Sequence, residues 1–203
     1  MRLVAAPLSR QLMLPCALAL LALATMTPAR AHAKGFGSGL KPLWIGIGAS
    51  GGGELGEPIG AGYGNLTVGL RLIPIVPEVT IREGVSGDSG ALRMHHGSIA
   101  LGARVLMPPL GPVRGTLRLA FSHRHDAPIE IFKAQPFKVL FGTADGISHR
   151  SGLETGGGLE IKLGKVVGLW AQGTLVLLPS EGLNPVSGLW EGGVSFAIGP
   201  PRP

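Results

Sequence analysis

Period-2 alternation of apolar and polar residues is the feature that most narrows what this chain can fold into. It recurs in eight segments: residues 43–50, 65–72, 78–82, 98–106, 113–122, 150–163, 167–178 and 189–198. Alternation of that period marks strands whose two faces meet different surroundings. In the second segment Leu66, Val68, Leu70 and Leu72 share one parity, and Asn65, Thr67, Gly69 and Arg71 the other. The sixth is the most polarised, with Leu153, Leu159, Ile161 and Leu163 opposing Arg150, Glu154, Glu160 and Lys162. Nothing in the body of the chain sustains the 3.6-residue period of an amphipathic helix. Glycine argues the same way. There are 34 in 203 residues, each costing a helix interior about 1 kcal/mol relative to Ala, and no Gly-X-Y repeat of the collagen kind runs through them. The chain reads as all-β.

The first 33 residues have the layout of a secretory signal peptide. Arg2 and Arg10 give a basic start, residues 12–26 an apolar run, and Ala31-His32-Ala33 an A-x-A cleavage site. The organisation expected is a signal peptide over 1–33, a β-barrel domain over 34–199 and a Pro-rich tail over 200–203. Cys16, the single cysteine, falls in the signal segment, so the mature chain has no thiol for a disulfide or a thiolate metal site. Removing Arg2, Arg10 and Arg30 lowers the basic count from 18 to 15 against 12 acids, a net +3. The high pI of the whole chain therefore does not point to nucleic acid.

The connections between the alternating segments are long and short in turn, beginning with a long one over 51–64 and including a very long one over 123–149. Long connections then gather at one end of an up-and-down sheet. Which face lies inside follows from the residues. Gly46, Gly48, Gly69, Gly102, Gly152, Gly156, Gly158 and Gly168 share the polar parity, which suits a crowded interior, because strand glycine is weakening unless close approach is needed. The apolar parity is uniformly large, and eight strands enclose little more than their own side chains. The apolar face is read as pointing outward.

Signal segment, strand number, parity and loop alternation together resemble the small OmpA/OmpX-type outer-membrane barrels, over nearly the whole mature chain. The last strand departs from that family by ending in Phe196-Ala197-Ile198-Gly199 and a Pro-rich tail. The resemblance implies an eight-stranded antiparallel up-and-down transmembrane β-barrel in the outer membrane of a Gram-negative bacterium. It also implies short periplasmic turns, longer surface loops and contact with outer-membrane lipid. A ten-stranded barrel is the alternative, if residues 129–133 and 137–141 are strands rather than a hairpin projecting above the membrane. Trp44, Phe121, Trp170 and Trp190 are the candidate aromatic girdle.

An Arg on the lipid face near the bilayer midplane costs roughly 2–4 kcal/mol, so the charged residues of the polar parity are assigned to the lumen. They are Arg71, Glu78, Arg82, Arg104, Arg114, Arg118, Arg150, Glu154, Glu160, Lys162 and Glu191. Buried charges need pairing, and these signs allow a salt-bridged core too narrow for general diffusion.

Histidines mark the outer rim. If Leu106 pairs with Val113, His96 falls opposite His123, and His95, His96, His123 and His125 form a candidate zinc, copper or nickel site, with a pH-sensitive patch as the alternative. Ser122 beside His123, or Ser148 beside His149, would suit nucleophilic catalysis only with a bend, because adjacent strand residues face opposite ways. Residues 46–53 lack the Gly-Lys-Ser/Thr and the helix of a phosphate loop. No cofactor and no catalysis are expected. The role read here is structural or surface interaction by a monomer, with residues 123–149 as the contact for a surface ligand or protein. A soluble barrel holding an apolar ligand and a narrow pore are the alternatives.

Overall fold

The computed structural model describes residues 41–54, 60–72, 74–87, 93–179 and 186–200. The expected signal peptide over 1–33 and residues 201–203 of the expected tail lie outside them. Eight strands run in chain order: β1 Leu43–Glu54, β2 Ala61–Leu70, β3 Ile75–Ser86, β4 Met94–Leu106, β5 Val113–Pro128, β6 Ser148–Lys162, β7 Val167–Leu177 and β8 Val186–Ile198. Each pairs antiparallel with its neighbour in sequence, and β1 pairs antiparallel with β8 to close the barrel. Residues 107–112 and 163–166 make short connections at one end, and the long one over 129–147 lies at the other.

Several strands exceed the alternating segments that announce them, chiefly at the long-loop end. β1 runs on to Glu54 because glycine-rich stretches pair there, Gly51 with Gly62 and Gly52 with Ala61. These residues carry no hydrophobic alternation, so only the ladder reveals them as strand. β3 grows from five alternating residues to 12.

The ten-stranded alternative and the projecting hairpin are both overturned. Residues 129–141 form two short helices, α1 Ile129–Ala134 and α2 Pro136–Leu140. Pro136 opens the second, a position where its missing N–H costs nothing, whereas a strand there would lose a ladder bond.

Side chains of β2 alternate buried and exposed over all ten residues. Leu66, Val68 and Leu70 are exposed on the outer wall, and so are Leu101, Leu119, Phe121 and Leu159, at 53–62% for the last four. A contiguous coat of this kind exceeds what soluble monomers leave in water. Inside, glycine makes room for large side chains. A Cβ on Gly46 would stand 2.8 Å from the Trp44 ring and 3.2 Å from Trp170 Nε1. Trp44 and Trp170 are accordingly interior, 3% and 4% exposed and edge to face at 6.4 Å. That corrects the girdle, of which Phe121 and Trp190 remain on the outer wall.

The β4–β5 register also differs from the simple one. Leu106 pairs with Thr116 rather than Val113, because the turn uses a Leu110–Val113 bridge over Gly111 at φ +64. His96 therefore stands opposite Asp126, and His123 opposite Ile99.

Candidate functional site

Inward-facing charges of five strands, with the amide of Gln172 on a sixth, form a closed circuit of hydrogen bonds across the interior. Arg82 of β3 gives Glu154 of β6 two bonds, 2.9 and 3.1 Å, and bonds Glu191 of β8 at 2.8 and 3.1 Å. Arg118 of β5 bonds Glu154 and, at 2.6 Å, Glu78 of β3. Arg104 of β4 takes the other Glu78 oxygen at 2.9 Å and the Gln172 carbonyl at 3.1 Å. The Gln172 amide donates to Glu191 at 3.0 Å and so closes the circuit. Three arginines face three glutamates, so the circuit is neutral. Arg104 also lies over the Trp44 ring, 4.6 Å from its centroid, which adds a cation–π contact. Forked guanidinium groups suit such bridging because each presents several donors in one plane.

Toward the short turns Arg71 pairs with Glu160, and Arg114 stands opposite Glu160 in the β5–β6 ladder. Lys162 belongs to the same parity but lies at the rim, exposed to solvent. It is a rim residue and not part of the lumen.

At the other end a single carboxylate gathers the cations. Asp126 accepts from Arg150 at 2.8 and 3.3 Å and from Arg124 at 2.6 Å. His96 Nδ1 is in hydrogen-bond contact with Asp126 and, at 2.7 Å, with Arg124, and its Nε2 meets the Ser86 hydroxyl. Among the described residues Arg124 and Arg150 converge on this carboxylate. Between mouth and circuit a cavity lined by Tyr63, Arg82, Ser98, Ser122 and Glu154 has room for about one water molecule.

The four histidines of the candidate metal site are not brought together. Adjacent residues of β4 face opposite ways, so His96 is interior while His95 is on the outer wall, with Nε2 3.0 Å from Glu83 and its ring stacked on Phe132 at 4.0 Å. His123 and His125 are also on the outer wall, beside His149. Among the described residues no group of three or more His, Asp or Glu is placed to hold a metal. The two serine–histidine neighbours are also split. Ser122 is buried inward, and His123 meets Ser151 at 2.8 Å and His149 at 3.2 Å. No carboxylate is hydrogen-bonded to that group among the described residues.

Sequence reasoning missed Gln172 and Arg124. Gln172 carried a signal, an amide beside Thr174 on the inward parity of β7; Arg124 became visible only when β5 proved to extend to Pro128.

No family model and no curated protein matches the sequence. Among solved structures the chain is similar to Neisserial surface protein A, with a TM-score of 0.57 and 17% identity over 79% of this chain and 98% of that one. It is also similar to Ail, the attachment invasion locus protein of Yersinia pestis, solved with the heparin analogue sucrose octasulfate. There the TM-score is 0.54 and the identity 13%, over 77% of this chain and 98% of that one. The fold is that of the small eight-stranded outer-membrane barrels.

Proposed function

We propose that this chain is a small integral outer-membrane barrel of a Gram-negative bacterium that serves surface interaction and performs no catalysis. The observation that carries the reading is the inversion of the usual protein plan: charge inside in a neutral circuit, large aliphatic side chains outside. Bilayer hydrocarbon stabilises that outer wall, and a closed barrel leaves no strand edge unsatisfied in lipid. The soluble alternative is disfavoured because the circuit fills the place where an apolar ligand would sit. The pore alternative is disfavoured by the same side chains, which bridge the interior from wall to wall.

The mouth at Arg124 and Arg150 is the surface offered to a partner. Ail was crystallised with a heparin analogue, and Arg124 and Arg150 here converge at one mouth, so a polyanion is the ligand class to try first. Membrane fractionation combined with heat-modifiable gel migration tests the main reading. We expect the chain in the outer-membrane fraction, migrating as a compact species until boiled. Recovery in aqueous buffer without detergent would sink the proposal. Titration with sucrose octasulfate tests the ligand class, and no binding at low salt removes it.

A further inference from the structure

We propose that the α1–α2 flap is a lateral membrane anchor, docked into the head-group layer of phosphate-bearing lipids beside the barrel. The inference rests on the outer-membrane reading and adds a lipid contact outside the strands. The flap does not rise above the barrel. Val139 of α2 is fully buried against Ala127 and Ala144, with Ile131, Phe132 and Ile147 packed around them. Ala127 has the outward parity of β5, so the flap is fastened to the outer wall. The stack of Phe132 on His95 fastens it again on β4, and the Ile129 N–H bonds the Arg93 carbonyl at 3.0 Å.

With Val139 against the wall, the opposite side of α2 faces away from the barrel. Phe137 and Phe141 occupy that side, one helical turn apart, where residues four apart are neighbours. They are 74% and 79% exposed, more than most residues of the strand coat. In water two such rings are unfavourable; beside a bilayer they occupy the level at which aromatic residues concentrate. The flap stands at the upper margin of the apolar coat. Ala127 pairs with His95, His95 pairs with Val85, and Val85 is an exposed aliphatic, 51%, on that same rung. The coat on β3 therefore reaches the rung at which the flap begins. Lys133 and Lys138 are exposed on the flap against the single acid Glu130. Aromatic and lysine side chains together are the composition of an interfacial helix, which gains from apolar burial and from anionic head groups. A soluble partner would also suit exposed aromatics, but the radial direction and the height of this pair point into lipid.

The test uses the full chain in a C16S background, so that an introduced cysteine is the only thiol. Single variants Phe137→Cys, Phe141→Cys and, within the strand coat, Leu119→Cys carry an environment-sensitive fluorophore. Each is placed in nanodiscs at one barrel per disc, in phosphatidylethanolamine and phosphatidylglycerol with a nitroxide on an upper acyl carbon. We expect both flap probes to be quenched at least half as strongly as the Leu119 probe, and to resist iodide from the water. Flap probes open to iodide and untouched by the nitroxide, beside a quenched Leu119 probe, would overturn the anchor and leave the barrel reading standing. If the Leu119 probe also escapes the nitroxide, the membrane reading itself fails. Protection from iodide that arises only with two barrels per disc would assign the face to a second copy and overturn the lipid contact. Exchanging Lys133 and Lys138 for Gln is expected to halve flap quenching in anionic discs but not in zwitterionic ones; an equal response in both overturns the head-group contribution.

Discussion

Arg82 and Glu154 meet across the barrel interior through two parallel hydrogen bonds of 2.9 and 3.1 Å, and each exposes only 1% of its side chain. The two residues are 72 positions apart in sequence, on β3 and β6, strands that share no ladder. The pair braces the barrel across its width rather than along its wall.

Removing Arg82 leaves the circuit with three carboxylates against two guanidinium groups. Arg82→Leu leaves Glu154 and Glu191 without their shared guanidinium, and breaking a buried pair in this way costs about 3–5 kcal/mol. Urea unfolding in lipid vesicles should show a loss of that size, whereas Lys162→Gln at the exposed rim should stay within about 0.5 kcal/mol of the parent. Equal effects at the two positions would mean that the circuit does not brace the fold.

Gly46 is the space that lets Trp44 and Trp170 lie inside. Gly46→Leu places its Cβ within 2.8 Å of the Trp44 ring, and overpacking of that kind costs about 1–3 kcal/mol. A lower unfolding midpoint, together with altered tryptophan emission, is the expected result. Unchanged stability and emission would contradict the interior placement of the two rings.

Leu119 is 62% exposed on the outer wall. If that wall meets lipid, Leu119→Arg costs roughly 2–4 kcal/mol of folding stability in bilayers. The same substitution on a water-facing wall would be close to neutral, so folding efficiency into vesicles separates the two surroundings directly.

Asp126 is the one carboxylate that Arg124, Arg150 and His96 share. Asp126→Asn removes the negative charge that Arg124 and Arg150 share. Affinity for sucrose octasulfate should rise severalfold at low ionic strength and fall back as salt screens it. A decrease at low salt would show that Asp126 is needed to hold the binding geometry.

His95→Ala removes the ring on which Phe132 stacks. Hydrogen exchange over residues 129–141 should accelerate severalfold while the strand amides stay protected, since aromatic stacking contributes about 0.5–1.5 kcal/mol to a locally opening unit. Protection unchanged at the flap would assign its attachment to the Val139 contacts alone.

The class of fold and the sorting of residues between two faces are legible along the chain. Period-2 parity is a local property: whichever strands pair, Leu66 and Asn65 must point opposite ways. Arg82, Arg118 and Glu154 were thus assignable to the interior from parity and the cost of charge in lipid. Trp44 obeyed the same parity beside Ile45 and Ile47, although an expected aromatic girdle pulled the reading the other way. The tertiary structure decided everything that depends on register and closure. A turn over Gly111 displaced β4 against β5 and set His96 on Asp126. Extension of glycine-rich and polar ends into strand brought Arg124 and Arg150 to one carboxylate. Barrel closure brought Gln172 to Arg104, a partner 68 residues away that no local pattern encodes. The flap shows the same division. Its residues look β-prone in isolation, and it became helical because Pro136 cannot serve a ladder and because Val139 found a buried seat on the outer wall of β5.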